Sequence, residues 1–499
     1  MENIPQPNYE IFIRNRNFDI EGVVKYYKRL EFRQVYNGVG GWILELASNT
    51  DAAILMKRLF RDVIGAYVGI IVTRDGKIVY SGMTRGFEQT GEYMGESDQE
   101  NTTFFGIDDN GLLSMRLLMV PRIGTTTFVA PENQNWDIWR YPATDNTPQR
   151  VSSCIYTATA DNISFTAPND RNIKFLYIQK PAKLGPEAVV RGRYQNLLEK
   201  CQELSYFPGD VAYQDANPTY SGVQFRTLQL QNPFYVYNQN APAAIINTPV
   251  PNNVSPPANQ KQLKKVQFSI TQPRNLRNSV VFSKGLKNLG SFRYKLSAPQ
   301  TTYIVLGGQN NASTLDNPGH VPDPINLPDN NPRTRWFAHT GANSGRLNLI
   351  TRYGLWESFL DRRDIQYGDG TANNPFPDPT GTALAQQYYA QMRVEMTQAM
   401  QTELIEKREL LEIEVTPINI RPTVWSVNYN VGDIVTVIIP GEEKTPWAAK
   451  VKEVTVTITQ DKGEEINLVV GTETQPNGRD IFSKIFRVNK KANFLEELR

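Results

Sequence analysis

The feature that most constrains this fold is a strict alternation of side chains near the C-terminal end of the chain. Val454, Val456 and Ile458 fall on one side of an extended backbone, and Thr455, Thr457 and Thr459 fall on the other. Such alternation is typical of a strand with one buried face. Since Asp461-Lys462-Gly463 is a turn signal, we predict a hairpin of two strands, at 449–459 and 464–470.

The residues just before this hairpin extend the β pattern. The stretch 423–437 is rich in β-branched and aromatic residues and contains the turn signal Gly432-Asp433, so we predict two short strands around that turn. Upstream, apolar residues recur every three or four positions from 382 to 409, which predicts a long helix with Asp378 or Thr380 as its cap. The alternation that begins at Leu411 indicates that this helix leads directly into a strand.

The N-terminal end is also rich in strand signals. We predict a helix at 51–61 and a small closed barrel or sandwich, because short alternating segments with glycine-rich turns lie at 9–14, 18–24, 30–36, 42–46, 67–73 and 77–83.

The middle of the chain is less regular. We predict a strand running into a helix over 104–118, a helix at 187–204, and extended loops in the Pro/Asn-rich segments 238–260 and 309–335. The predicted fold class is therefore α+β, with two small β-barrel domains joined by a mixed α/β middle region and one long helix leading into the C-terminal barrel. The corresponding domain bounds are 1–125, 126–262, 263–375 and 376–499.

The composition argues against several functional classes. With 53 Lys and Arg against 51 Asp and Glu, no global field attracts nucleic acid or an anionic membrane. Cys154 and Cys201 are far apart and form no CxxC motif, which indicates folding in a reducing compartment. No signal peptide or membrane-spanning apolar run is apparent, so we expect synthesis in the cytoplasm and no stable membrane insertion.

Catalytic and metal-binding motifs are absent from the sequence. Only His320 and His339 are available, and there is no Walker A, GxSxG or HExxH pattern, so we expect no cofactor and no metal. Glu357 and Asp361 could act as a glycosidase carboxylate pair. We favour an ion-pair cluster at a subunit or domain contact, formed from Arg352, Glu357, Asp361, Arg362, Arg363 and Asp364.

Four stretches, taken in order, resemble one family. They are 9–46 with its YNGVGGWILEL, 69–82 (GIIVTRDGKIVYSG), 280–308 followed by 352–364 (RYGLWESFLDRRD), and the long helix with TVWSVNYNVGDIVTV. Together they are similar to the hub proteins at the tail tip or baseplate of tailed bacteriophages and of related contractile injection machines.

This resemblance implies a structural role in the virion. Three copies would form a ring with pseudo-sixfold symmetry, which mates a sixfold tail tube to a threefold spike or fibre. The implied partners are two further copies, a tail tube or distal tail ring protein, a spike or central fibre protein, and baseplate wedge proteins. Because the chain ends soon after the second sheet, we expect no appended enzyme. An alternative is a glycan-binding module that uses Trp136, Trp139 and Trp336.

Overall fold

The structure is a computed structural model. It describes residues 7–61, 67–92, 99–119, 139–141, 149–164, 171–192, 194–209, 213, 216–217, 220–237, 247–251, 253–254, 261–308, 334–338, 352–362, 372–373, 375, 381–407, 410–418, 420, 423–441, 446–459 and 463–471.

The elements follow one another in three stretches. The first contains β1 (Tyr9–Arg14), β2 (Ile20–Val24), β3 (Arg29–Val35), β4 (Gly41–Ala47), α1 (Asp51–Arg61), β5 (Gly69–Arg74), β6 (Lys77–Glu92), β7 (Gln99–Asp108) and α2 (Gly111–Ser114). The second contains β8 (Trp139–Tyr141), β9 (Gln149–Arg150), α3 (Val151–Ile163), β10 (Leu176–Ile178), β11 (Glu187–Ala188), β12 (Val190–Gly192), α4 (Leu197–Tyr206), β13 (Gln224–Tyr237) and β14 (Lys261–Thr271). The third contains β15 (Val281–Ser283), β16 (Leu289–Ser297), β17 (Tyr303–Gly308), β18 (Thr334–Ala338), β19 (Glu357–Arg362), α5 (Ala383–Glu406), β20 (Leu410–Pro417), β21 (Ile434–Ile438), β22 (Trp447–Thr459) and β23 (Gly463–Gly471).

Most predicted strands at the two ends are confirmed, as are the helix at 51–61 and the passage from long helix to strand. Val454, Val456 and Ile458 are buried along β22, as their alternation requires. The strand predicted at 77–83 is too short, since β6 runs on to Glu92.

The first of the two strands predicted within 423–437 is wrong. Residues 424–429 form a tight turn in which the Ser426 amide donates to the Tyr429 carbonyl at 2.9 Å, with Ser426 at φ +63°. The Asn428 side chain accepts the Val424 amide at 3.0 Å. Trp425 and Tyr429 both enter the core while Val427 between them is 64% exposed, which a turn permits and a strand, with all three side chains on one face, would not.

The helix predicted at 187–204 is also wrong at its start. β11 and β12 occupy its first part, and α4 begins only after Asn196, whose side chain accepts the amides of Leu198 and Glu199 at 3.0 and 3.4 Å. α3 was not predicted, because its sequence VSSCIYTATADNI is rich in Ser and Thr, which have modest helix propensity. The long helix α5 is capped by Thr382 and not by Asp378 or Thr380.

One 13-stranded sheet dominates the fold and joins both ends of the chain. Its order is β16-β20-β23-β22-β3-β4-β7-β6-β5-β1-β2, with β15 on β21 and β21 on β22. The fold is therefore mixed, mostly β with few helices. Among the described residues this sheet has free edges at β2, β15 and β16 and closes into no barrel, so the predicted pair of barrels is not confirmed.

The large sheet curls around one hydrophobic core. The Glu464 carboxylate on β23 accepts two hydrogen bonds from Arg74 on β5, at 3.0 and 3.2 Å, and a third from Tyr9 on β1. These strands are distant in the sheet order, so the sheet must bend for them to meet. Phe32 lies in the core between the rings of Tyr80 and Trp425, at centroid distances of 4.9 and 6.0 Å.

A second core fills the middle region. It lies between α3, α4 and the small sheet β10-β14-β13, and it buries Cys154 and Cys201 as free thiols. Burial raises the pKa of both thiols. This core also includes Phe18 and Met83 from the first stretch of the chain, so the middle region shares its apolar interior with that stretch, and its cysteines form no disulfide.

A buried ion pair lies at the boundary between the large sheet and the middle region. Arg14 on β1 and Asp109, just after β7, form a bidentate pair in which both side chains are 0% exposed. Arg14 also donates to Gln229 on β13 at 3.0 Å, and the Ser81 hydroxyl donates to Asp109 at 2.5 Å. Strands that are far apart in sequence are therefore fixed to each other through charge.

A third, smaller sheet has the order β18-β17-β19. β15 and β16, which fall within the predicted domain 263–375, belong instead to the large sheet with strands of the predicted domains 1–125 and 376–499. The four-domain division itself stays a prediction. No helix in the described parts of the chain has the length and apolar character needed to cross a membrane.

Candidate assembly surface

The large sheet contains the same six-strand arrangement twice. In chain order, β1, β3, β4, β5, β6 and β7 (the N-terminal unit) correspond to β15, β16, β20, β21, β22 and β23 (the C-terminal unit). All five pairings of the first unit recur in the second: β1–β5 as β15–β21, β3–β4 as β16–β20, β4–β7 as β20–β23, β5–β6 as β21–β22, and β6–β7 as β22–β23. Only β15–β21 differs in direction, being parallel.

The two units also agree in register. β6 carries a bulge at Arg85 against β7, and β22 carries one at Lys452 against β23. One residue before each bulge, the Thr84 amide donates to the Val68 carbonyl and the Val451 amide donates to the Asp433 carbonyl, both at 2.8 Å. Because bulges fix register locally, Arg85 and Lys452 are equivalent positions and the strands can be aligned residue by residue.

Within the chain, the two units are joined by β22 and β3. The second half of β22 pairs antiparallel with β3, from Glu453 opposite Val35 to Thr459 opposite Arg29. One face of this joint belongs to the core, and the other carries an ion pair between Arg33 and Glu453. We call this pairing the internal joint.

The equivalent strands β6 and β16 are not joined to each other. From Gly86 to Glu92, β6 pairs with β7 on one side and with no described strand on the other. Among the strands that the structure describes, β16 pairs only with β20. Phe292 and Leu296 on β16 are 41% and 39% exposed, whereas their equivalents on β3, Leu30 and Gln34, are 0% and 6% exposed. These two edges are therefore exposed, whereas the equivalent edges of β22 and β3 are buried against each other in the internal joint.

Sequence reasoning missed the β6 edge. The prediction ended that strand at Met83, and the continuation contains Gly86 and Gly91, which have low strand propensity. The available signal was the resemblance between the two ends of the chain, because β22 also continues beyond its bulge.

The predicted interface residues are only partly described. Glu357 and Asp361 both lie on β19, which pairs parallel with β17, and the Glu357 side chain is exposed. The guanidinium of Arg352 lies 4.8 Å from the ring centroid of Tyr353. Of the other members of the cluster, the side chain of Arg362 lies outside the described part, as does that of Asp361, and Arg363 and Asp364 are outside it altogether. The ion-pair cluster and the hydrolase pair therefore remain predictions.

The residues of the glycan-binding alternative are also only partly described. Trp139 and Trp336 belong to β8 and β18, but their side chains are not among those described, and Trp136 is outside the described residues. His320 and His339 are likewise outside.

Among the described residues, the carboxyl group with the most perturbed pKa lies beside a cavity between the large sheet and the middle region. Asp108 accepts the amides of Gly40 and Asn110 at 2.9 and 3.1 Å, and burial raises its pKa to about 8. The cavity, which Tyr80 and Thr227 also line, has a volume of about 20 Å³. That space holds one water molecule and excludes a sugar or peptide. Within the described residues, no cluster of three or more His, Cys, Asp or Glu residues could hold a metal.

Comparison with known proteins places the chain among phage tail proteins. The model of the family described as Siphovirus ReqiPepy6 Gp37-like protein matches residues 10–472. No curated protein sequence matches. Similar solved structures include the tail protein from Neisseria meningitidis, with TM-score 0.44, 8% identity, and coverage of 93% of this chain and 96% of that one.

Two further structures show the same range of similarity. The 43 kDa tail protein of prophage MuSo2 from Shewanella oneidensis has TM-score 0.41 and 10% identity, over 92% of this chain and 97% of that one. A third similar structure is an E. coli component of the type VI secretion system that exhibits structural similarity to T4 bacteriophage tail proteins gp27 and gp5. It has TM-score 0.35 and 8% identity, over 96% of this chain and 76% of that one. Since the family match covers most of its length, the chain belongs to the family of Siphovirus ReqiPepy6 Gp37-like phage tail proteins.

Proposed function

We propose that this protein is the hub subunit of a phage tail tip or baseplate, and that three copies close into a ring with pseudo-sixfold symmetry. The observation that carries the proposal is the internal duplication of the large sheet, since each chain contributes two equivalent units. Three copies therefore supply six similar units. In such a ring the two units of each chain alternate as the two barrel-like modules that the sequence suggests.

The duplication explains how one ring can match two symmetries. A partner that contacts only the features shared by both units meets six similar sites. A partner that contacts what is unique to one unit meets three. The middle region, with α3 and α4, contacts the N-terminal unit through the hydrogen bond that the buried Arg14 donates to Gln229 on β13. The sheet β18-β17-β19 and α5 are inserted between β16 and β20 of the C-terminal unit.

We therefore place the hub between a hexameric tail tube, or a distal tail ring protein, and a trimeric spike or central fibre. Baseplate wedge proteins would contact its outside. The role is structural, and the protein is made in the host cytoplasm before it enters the virion. This assignment fits membership of a tail protein family and requires no catalytic group.

Cryo-electron microscopy of assembled tails tests this proposal. We expect one threefold ring of this protein between the tube and the spike or fibre. Purified protein should in parallel reach three times the mass of the 56.6 kDa chain in light scattering over a concentration series. A ring with six copies of the chain, or density for this protein anywhere other than the tail tip or baseplate, would refute the hub assignment.

A further inference from the structure

We infer that neighbouring copies are joined by β6 of one copy and β16 of the next, in the antiparallel register of the internal joint. The inference rests on the proposed ring and identifies the strands that close it. A ring of alternating units needs two kinds of contact: N-terminal to C-terminal unit within a chain, and C-terminal to N-terminal unit between chains. The internal joint supplies the first contact, and we call the second the external joint.

The duplication determines which strands form the external joint. The internal joint pairs β22 with β3, and their equivalents in the other unit are β6 and β16. Both strands have an edge without a partner among the described residues, and unpaired edges are templates for another strand. A head-to-tail contact of this kind generates a closed ring when the rotation between copies permits.

The register follows from the matched bulges. Arg85 is equivalent to Lys452, so Glu88 is equivalent to Thr455, which lies opposite Arg33 in the internal joint. On the other side, the pairings of β3 with β4 and of β16 with β20 make Lys295 equivalent to Arg33. The external joint therefore places Glu88 of one copy opposite Lys295 of the next.

The residues brought together in this register are chemically complementary. The exposed Glu88 meets the exposed Lys295, an opposite-charge pair that stabilises cross-strand contacts. On the other face Phe87, which is partly buried against the core, lies opposite Leu296. Arg293 lies opposite Thr90, diagonal to Glu88. A shift of one residue would put Glu88 opposite a neutral side chain, because Leu296 and Tyr294 flank Lys295.

Burial supports the same pairing. On the core-facing side of the internal joint, Val454 and Val456 of β22 are 0% exposed. Their equivalents on β6 are the partly buried Phe87 and the exposed Gln89. On β16, Tyr294 packs on the core, and the flanking Phe292 and Leu296 are exposed. The occupant of these edges is thus a second copy of this chain, because the same sequence already provides both halves of the joint.

Disulfide trapping tests the external joint. Directly opposite residues of an antiparallel pair bring their Cα atoms to roughly 5 Å, within disulfide range. We expect Glu88→Cys combined with Lys295→Cys to give, on mild oxidation of assembled tails or purified rings, a covalent species that ends at the trimer. Cys154 and Cys201 should not interfere, because both thiols are buried. The matched control, Glu88→Cys with Lys180→Cys, places the second thiol on an exposed residue of the middle region.

The outcomes separate the joint from the ring. A threefold ring that fails to crosslink, or that crosslinks equally well in the control pair, overturns the external joint and leaves the hub proposal standing. Crosslinked species larger than the trimer overturn the closed threefold ring. The absence of any ring overturns both proposals.

Charge reversal gives an independent readout in the same protein. Glu88→Lys should weaken trimer formation by about tenfold or more, since every external joint of the ring then places two lysines opposite each other. Adding Lys295→Glu should restore trimer formation, and Lys295→Glu alone should weaken it. Both positions are exposed, but Lys295→Glu also sets a like charge opposite Glu412 on β20 of its own chain, so thermal melts of each variant must show a folded protein before its trimer is compared. Equal losses in the single and double variants would contradict the pairing.

Discussion

The buried pair of Arg14 and Asp109 gives the sharpest prediction about stability. Replacing Asp109 with Asn should lower the free energy of unfolding by about 3–5 kcal/mol, because the Arg14 guanidinium would remain buried without a counter-charge. Arg14 would keep Gln229 at 3.0 Å and the Tyr67 carbonyl at 3.3 Å, both neutral acceptors. Ser81 would also exchange its carboxylate acceptor for an amide.

Urea unfolding, followed through the fluorescence of the buried Trp42 and Trp425, measures this loss. Glu453→Gln is the control, because it breaks a pair whose side chains are 30% and 18% exposed, and such pairs contribute about 1 kcal/mol or less. Arg14→Met with Asp109→Leu should recover much of the stability, since removing both charges avoids an unpaired one. If Asp109→Asn costs no more than the control, the Arg14–Asp109 pair does not stabilise the fold as a fully buried ion pair should.

Three further predictions concern the folded chain. Phe32→Ala should cost about 3–5 kcal/mol in urea unfolding, since Phe32 is fully buried between two rings, and a loss below about 1 kcal/mol would contradict its central place in the core. Asn196→Ala should cost about 1 kcal/mol or more by removing the α4 cap, and Asn196→Asp should recover part of that loss, since it keeps the cap but loses the hydrogen bond that the Asn196 amide donates to the Ser114 carbonyl at 2.8 Å, so equal losses in the two variants would argue against capping. Asp108 should make stability fall as pH rises from about 4 to about 8, because burial raises its folded-state pKa from 3.8 to about 8 and the folded chain then binds more protons than the unfolded chain. Asp108→Asn should flatten this slope in thermal melts across that pH range, and an unchanged slope would assign it to other groups.

Local patterns predicted much of the fold. The alternation of Val454, Val456 and Ile458 identified β22, and amphipathic spacing identified the helix at 51–61. They could not identify the internal joint, because nothing local links Glu453 to Val35. They also missed the tight turn at Trp425, where Trp425 and Tyr429 enter the core but Val427 between them is exposed, a pattern that the strand suggested by propensity could not produce.

The candidate assembly surface was predictable only in outline. The resemblance between the two ends suggested two similar modules, but their pairing depends on the bulges at Arg85 and Lys452, which are backbone features without a clear sequence signal. The interface residues that the sequence did suggest, around Glu357 and Asp361, lie on β19 in a different sheet.

The internal joint has a consequence for the accuracy of assembly. Its two strands belong to one polypeptide, so they meet at the high effective concentration of an intramolecular contact and pair before any neighbour arrives. Units therefore enter the proposed ring in twos, and a ring of complete chains contains an even number of them. Rings of five or seven units, which differ by one from the expected six, cannot form because the two units of each chain are covalently linked.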